Sequence, residues 1–344
     1  MIRYLFCCMC AFGLMGCGVD EESVENPYAF EAPPNFPAAT YTFQNNPITE
    51  EGFELGRRLF YDGALSRDGS VSCASCHQQH VAFADPLHRL SIGVDERVGI
   101  RNAPAIQNVA FKKFFFWDGG VNHVDFVPIA AILNPLEMDE TIANIVVKLQ
   151  AEEKYKTRFR AAFKTDEINS QRMLHALSQF MVLMVSANSR YDRYIRNEGE
   201  VLNAAELRGL TAFQQKCTGC HATDLFTNDD FRNNGLDATF EKDNGRERIT
   251  EYSGDRGKFK VPSLRNVALT KPYMHDGRFK TLEEVLMHYQ SGVKDSETLD
   301  PLLRNNETLG IALSDQERSD ILAFLLTLTD DSFIKDKRFS QPPN

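Results

Sequence analysis

The chain has 344 residues, 42% of them hydrophobic, and a formal charge of −10. That length and apolar content suit two packed domains and exclude a disordered polypeptide. The acidic balance, with no visible Lys/Arg cluster, excludes a nucleic-acid binder and suits either a basic partner protein or plain solubility.

The opening stretch MIRYLFCCMCAFGLMGCGVDEES places Arg3 before an apolar run too short to span a bilayer, followed by small residues. Residues 1–17 therefore read as an export signal. Leu14-Met15-Gly16-Cys17 resembles the bacterial lipobox, in which the cysteine carries a lipid; an ordinary cleaved signal is the alternative. The expected location is the periplasm, as an outer-membrane lipoprotein held by its lipid anchor only. Residues 18–47 turn to Glu, Asn and Pro, the composition of a flexible tether.

An N-terminal domain is expected over 48–195, with helical spacing of apolar residues in Ile142 to Leu149 and in Met173 to Met184. The polar segment Asn188 to Asn203 interrupts that pattern and marks the boundary. The second domain, 196–330, opens with the capping box Asn203-Ala-Ala-Glu206, whose helix carries Leu207, Leu210 and Phe213 on one face. A second box, Ser314-Asp-Gln-Glu317, starts a helix through Ile321, Leu325 and Leu328. Residues 331–344 read as a tail. Alternating strand patterns are scarce, so the fold class is all-α.

Outside the leader the cysteines are Cys73, Cys76, Cys217 and Cys220, each pair followed at once by histidine: CASCH ending at His77 and CTGCH ending at His221. This is the attachment signature of c-type haem, in which two thiols bond the porphyrin and the adjacent imidazole becomes the proximal iron ligand. Two covalently bound haem c groups are expected. The pairs lie too far apart for one zinc site, which usually spaces them by about 20 residues. A thioredoxin-like pair would need a βαβ pattern. Disulfides give no reason for histidine to follow both pairs.

An internal repeat relates the halves. APAIQNVAFKKFFFWDGG (Ala103 to Gly120) lies over VPSLRNVALTKPYMHDGR (Val261 to Arg278) without a gap, placing Trp117 where the second copy has His275. Packing about a pseudo-twofold axis would bring both near the interface; a plain core tryptophan is the alternative. In KTLEEVLMHYQSG, Leu282, Val285, Leu286 and Tyr289 share one helical face, while Met287 points elsewhere and His288 lies with Glu284 on a more polar side.

The segments LGRRLFYDGALSRDGSVSCASCH, RNAPAIQN, FWDGG, NPLEM, CTGCH and LRNVALTKPYMHDGRFKTLEE together resemble the bacterial di-haem cytochrome c peroxidase family, which includes the MauG-type enzymes. The resemblance runs from about Leu55 to about Leu328 and implies two cytochrome c-like domains, with peroxide reacting at the N-terminal haem. By position, Trp117 matches the tryptophan between the haems and Glu137 the acid–base residue above the peroxide-reacting iron. Tyr289 matches the axial ligand of the second haem, methionine in the electron-accepting peroxidases and tyrosine in MauG-type members. Val94 stands where those peroxidases often have a loop histidine, and Val127 where a distal glutamine is common. His80 is too near His77 to reach the opposite face, and His88 stays open as a substitute ligand. A calcium ion is implied at positions matching Asn102, Thr270 and Pro272, with His275 among the cofactor-binding positions. Implied partners are hydrogen peroxide and a cytochrome c or cupredoxin donor, or a protein substrate whose aromatic residues are oxidised; homodimers are also expected. A plain di-haem electron carrier without catalysis is the reading from another class.

Overall fold

The computed structural model describes residues 26–305 and 308–343; the export signal with Cys17, and the start of the expected tether, lie outside the described residues. Helices of the first half are α1 Glu50–Tyr61, α2 Cys73–Cys76, α3 Val127–Leu133, α4 Ile142–Ala151, α5 Glu153–Phe163 and α6 Ser170–Val182. Those of the second are α7 Arg190–Ile195, α8 Ala204–Lys216, α9 Glu247–Thr250, α10 Leu282–Met287, α11 Asp315–Leu326 and α12 Asp331–Lys335. Among the described residues, paired strands are two-residue pieces: β1 Phe231–Arg232 antiparallel to β2 Phe259–Lys260, and β3 Arg304–Asn305 antiparallel to β4 Thr308–Leu309. The fold is all-α. No helix among the described residues is long and apolar enough to cross a membrane.

Local chemistry explains the helix starts. The Thr49 side chain accepts from the Gly52 N–H at 3.0 Å, and Glu50 and Glu51 face the positive end of the α1 dipole. Both capping boxes read from the sequence form, at Asn203/Glu206 and Ser314/Glu317. Each half is built on one close helix crossing. A β-carbon on Gly56 of α1 would overlap the Ala176 carbonyl oxygen of α6, and one on Gly209 of α8 would overlap the Asp320 carbonyl oxygen of α11. Because α11 rides on Gly209, Ala212 and Phe213, the expected contact face is displaced and Leu207 is 39% exposed.

The halves repeat one backbone path. Positive φ angles recur at Asn108 and Asn266, Phe116 and Met274, and Gly119 and Gly277. Bridges Phe115 to Val121 and Tyr273 to Phe279 recur with them. A buried polar seam joins the halves: Asn108 Nδ2 donates to the Ser186 carbonyl at 3.1 Å, and Asn266 Nδ2 to Ser186 Oγ at 2.9 Å. Gln107 Nε2 donates to the Arg265 carbonyl at 2.6 Å. Every group of the seam is satisfied, which is what lets it be buried.

Three stretches differ from their expectation. From Tyr28 on, the supposed tether packs on the first core through Tyr28, Phe30, Phe36, Tyr41 and Phe43, aromatic anchors dispersed among polar residues. The expected tail over 331–344 also returns to that core, burying Phe333 and Phe339 against Phe53, Phe83 and Phe180. Between Asn188 and Asn203 the chain forms α7 and buries Asp192 in a two-pronged ion pair with Arg265, at 2.6 and 2.8 Å.

Candidate haem sites

In the first site, α2 presents Cys73 and Cys76, which form no disulfide, and is followed at once by His77. The left-handed residues Ala82 and Phe83 bend the chain back, so the Phe83 carbonyl meets His77 Nδ1 at 2.9 Å. A carbonyl can only accept, so Nδ1 carries the proton and Nε2 keeps its lone pair. Burial also holds the imidazole neutral by lowering its pKa. Beside it lies a cavity of about 100 Å³ lined by Ile106, Trp117, Val124, Val127 and Met181 among others.

The second site repeats the device. α8 runs directly into Cys217, and Cys217 and Cys220 again form no disulfide. His221 Nδ1 meets the Phe226 carbonyl at 3.0 Å, beside a cavity of about 260 Å³. Burial pushes the Cys73 and Cys217 thiols up to about 12. Two thiols next to a histidine with an oriented lone pair, twice over, are the donor set of a thioether-linked porphyrin in each half, and the cavity at His221 also reaches Cys217 and Cys220.

Leu282, Val285, Leu286 and Tyr289 all line the second cavity, as their helical spacing predicts. Here α10 passes into a π-turn over His288–Gly292, a local widening frequent at functional sites. Met287 points away and is 43% exposed. His288 also points away, but it is buried rather than on a polar face with Glu284: its Nε2 pairs with the Asn234 carbonyl at 3.0 Å. Burial pushes the Tyr289 phenol up to about 12, opposed by a hydrogen bond from Asn234. A phenolate there requires a cation to stabilise it.

Trp117 lines both cavities. Its indole N–H donates to the Asn102 carbonyl at 2.9 Å, and the Asn102 N–H donates to the His275 carbonyl at 2.7 Å. The His275 ring stacks on Phe259 with centroids 3.7 Å apart, and burial pushes its pKa down to about 4. Asn102, Thr270 and Pro272 line the second cavity together. Among the described residues no group of three or more His, Cys, Asp or Glu could hold a metal ion. Those three calcium candidates offer carbonyl and hydroxyl oxygens, the donor type that calcium takes.

Glu137 accepts from Asn134 Nδ2 at 2.8 Å, and burial raises its carboxyl pKa. Its backbone packs against Gly93, next to Ile92, whose carbonyl lies 3.9 Å from Cys76 Sγ. Fully buried Val94 donates its N–H to the Glu137 carbonyl at 2.8 Å. His88 Nδ1 is tied to buried Asp85 at 3.0 Å, and His80 is exposed. Sequence reasoning missed Asn234, Lys112 and Lys260, all of which line the second cavity. For Lys112 a signal existed: a lysine amid the aromatic residues of AFKKFFFW, inside the repeat.

Residues 50–200 match the family described as di-haem cytochrome c peroxidase, and residues 207–329 match cytochrome c. The methylamine utilization protein MauG of Methylorubrum extorquens is 35% identical over 286 residues, covering 82% of this chain and 79% of that protein. The cytochrome c551 peroxidase of Nitrosomonas europaea is 34% identical over 291 residues, covering 83% and 82%. Among solved structures, a MauG-like protein associated with microbial copper homeostasis superposes with a TM-score of 0.83 at 34% identity, covering 91% of this chain and 99% of that one.

Proposed function

The chain belongs to the di-haem cytochrome c peroxidase family that includes the MauG-type enzymes, and from that premise we propose a peroxidase that reduces hydrogen peroxide to water with electrons from an external donor. Membership brings two haem c groups and makes the protein an oxidoreductase. We assign one haem to Cys73, Cys76 and His77, and the other to Cys217, Cys220, His221 and Tyr289. When bound, the haems supply the redox-active iron that accepts and passes electrons.

The residues around them divide the remaining work. Glu137, half-buried and raised in pKa, takes a proton from one peroxide oxygen and returns it to the departing one. The Phe83 and Phe226 carbonyls fix the tautomers of His77 and His221. Trp117 stands between the cavities as the relay, and Tyr289 closes the second site with an oxygen donor. We further assign the half that carries His77 to the peroxide-reacting domain and the half that carries His221 to the electron-transfer domain, with calcium held by Asn102, Thr270 and Pro272. Periplasmic export and lipidation of Cys17 complete the proposal.

The observation that carries this reading is the asymmetry of the two cavities: a tyrosine lines the one beside His221, whereas Val127 lines the one beside His77. The same tyrosine supports a second reading, a MauG-like oxidase acting on a partner protein's aromatic residues, because phenolate ligation favours higher iron oxidation states. Electron paramagnetic resonance of the haem-loaded protein tests the asymmetry. One high-spin and one low-spin ferric signal are expected, with the low-spin signal altered in Tyr289→Phe; an unchanged spectrum rejects the ligand. Steady oxidation of reduced cytochrome c by peroxide then separates the peroxidase from the protein-modifying enzyme.

A further inference from the structure

The wall between the two cavities contains two lysines, Lys112 and Lys260, and each of them lines both cavities. Lys260 is 8% exposed, and its N–H donates to the Trp117 carbonyl at 2.7 Å. The Lys112 carbonyl is held by Thr40 Oγ1 at 2.8 Å, which fixes the backbone from which its side chain enters the wall.

The local charges do not balance. Asp229 is the carboxylate beside them, and it is shared: one oxygen lies 3.4 Å from Lys260 Nζ, and the other accepts the Lys113 N–H at 3.2 Å. Among the described residues Lys112 has no carboxylate within ion-pair distance. The other cations of the second cavity are already paired, Arg232 with Asp300 at 2.9 Å and Lys216 with Glu317 at 3.1 Å. An uncompensated buried ammonium costs several kcal/mol or gives up its proton. Without a further anion, burial and the neighbouring Lys260 push Lys112 down to about 7.

We propose that Lys112 and Lys260 form a shared anion seat that binds the propionate carboxylates of both porphyrins. The inference rests on two haems being bound. It supplies the missing counter-charge, and it accounts for cations set in a wall facing both cofactors. It also makes the two potentials interdependent, because one ammonium stabilises the reduced form of either haem.

The test uses the haem-loaded protein and its Lys112→Met, Lys112→Arg and Lys260→Met variants. Pyridine haemochrome first counts haems per chain, then optical redox titration gives both midpoints, and resonance Raman follows the propionate bending bands. Lys112→Met and Lys260→Met are each expected to lower both midpoints and shift the propionate bands, while Lys112→Arg stays near the parent. If a methionine variant retains too little haem, deuterium exchange of the parent decides: propionates bonded to ammonium protons shift in D2O. Two haems with unmoved propionate bands would overturn the seat alone. A parent haem count below two would overturn the cofactor reading and the seat together.

Discussion

Trp117 and His275, equivalent positions of the two repeats, meet in space with ring centroids 6.5 Å apart and planes inclined at 71°. Duplication has brought one aromatic ring from each half to a shared wall, and the indole N–H anchors its side through Asn102. Trp117→Phe keeps a ring but removes that donor. Haem content should remain two per chain, while peroxide turnover falls by about tenfold or more, equivalent to about 1.4 kcal/mol of barrier. Stopped-flow spectroscopy checks it; oxidation of the second haem at the parent rate would remove the tryptophan from the relay.

Glu137→Gln keeps the shape of the side chain and abolishes its proton transfer. Loss of a positioned acid–base group costs about 10²–10⁴ in rate, and kcat/KM for peroxide should fall by that much with the haem spectra unchanged. Burial raises this carboxyl, so it is protonated at higher pH than an ordinary glutamate. Activity that needs the ionised form should therefore rise with pH, with its acid limb above about 4.3, the usual glutamate value. A profile flat across that limb in the parent, or one identical in the variant, would count against the role.

Both Cys-x-x-Cys-His units, the capped helices and the cavity-facing side of α10 could be read from the sequence because each is a local pattern, fixed by spacing within a few residues. What escaped depends on contacts between distant segments. Phe339 looks like one aromatic in a polar tail, and only its packing on Phe53 and Phe180 reveals an anchor. His288 shares a helix with exposed Glu284, yet the π-turn and the Asn234 carbonyl bury it. Lys112 and Lys260 lie far apart in the chain, and their shared wall exists only once the repeats pack together.

The Arg265–Asp192 pair is fully buried on both sides. Burial alone would raise the Asp192 carboxyl, but hydrogen bonds and charge from Arg265 overcome that and hold it below the usual range. Its contribution to stability is therefore present above the unfolded value of about 3.9 and is lost as pH falls through the lower folded value. Asp192→Asn leaves the guanidinium buried without a counter-charge and should cost about 3–5 kcal/mol in urea unfolding at pH 7. Its loss of stability on acidification should also be shallower than the parent's. Equal acid sensitivity in the two proteins would show that other carboxylates control it.

Phe339 closes the first core from the far end of the chain. Its ring packs against Phe53, Phe83, Phe180 and Phe333, and its carbonyl accepts from the Tyr61 hydroxyl at 2.7 Å. Phe339→Ala removes a ring that is 2% exposed, so a loss of about 3–5 kcal/mol is expected. The loss should fall on the half that carries His77, because the second core, around Phe213 and Phe324, does not include this ring. In thermal unfolding of the haem-loaded variant, the absorbance of the first haem should change at a lower temperature than that of the second. A single transition displaced as one unit would mean instead that the buried seam of Asn108, Asn266 and Ser186 makes the halves unfold together.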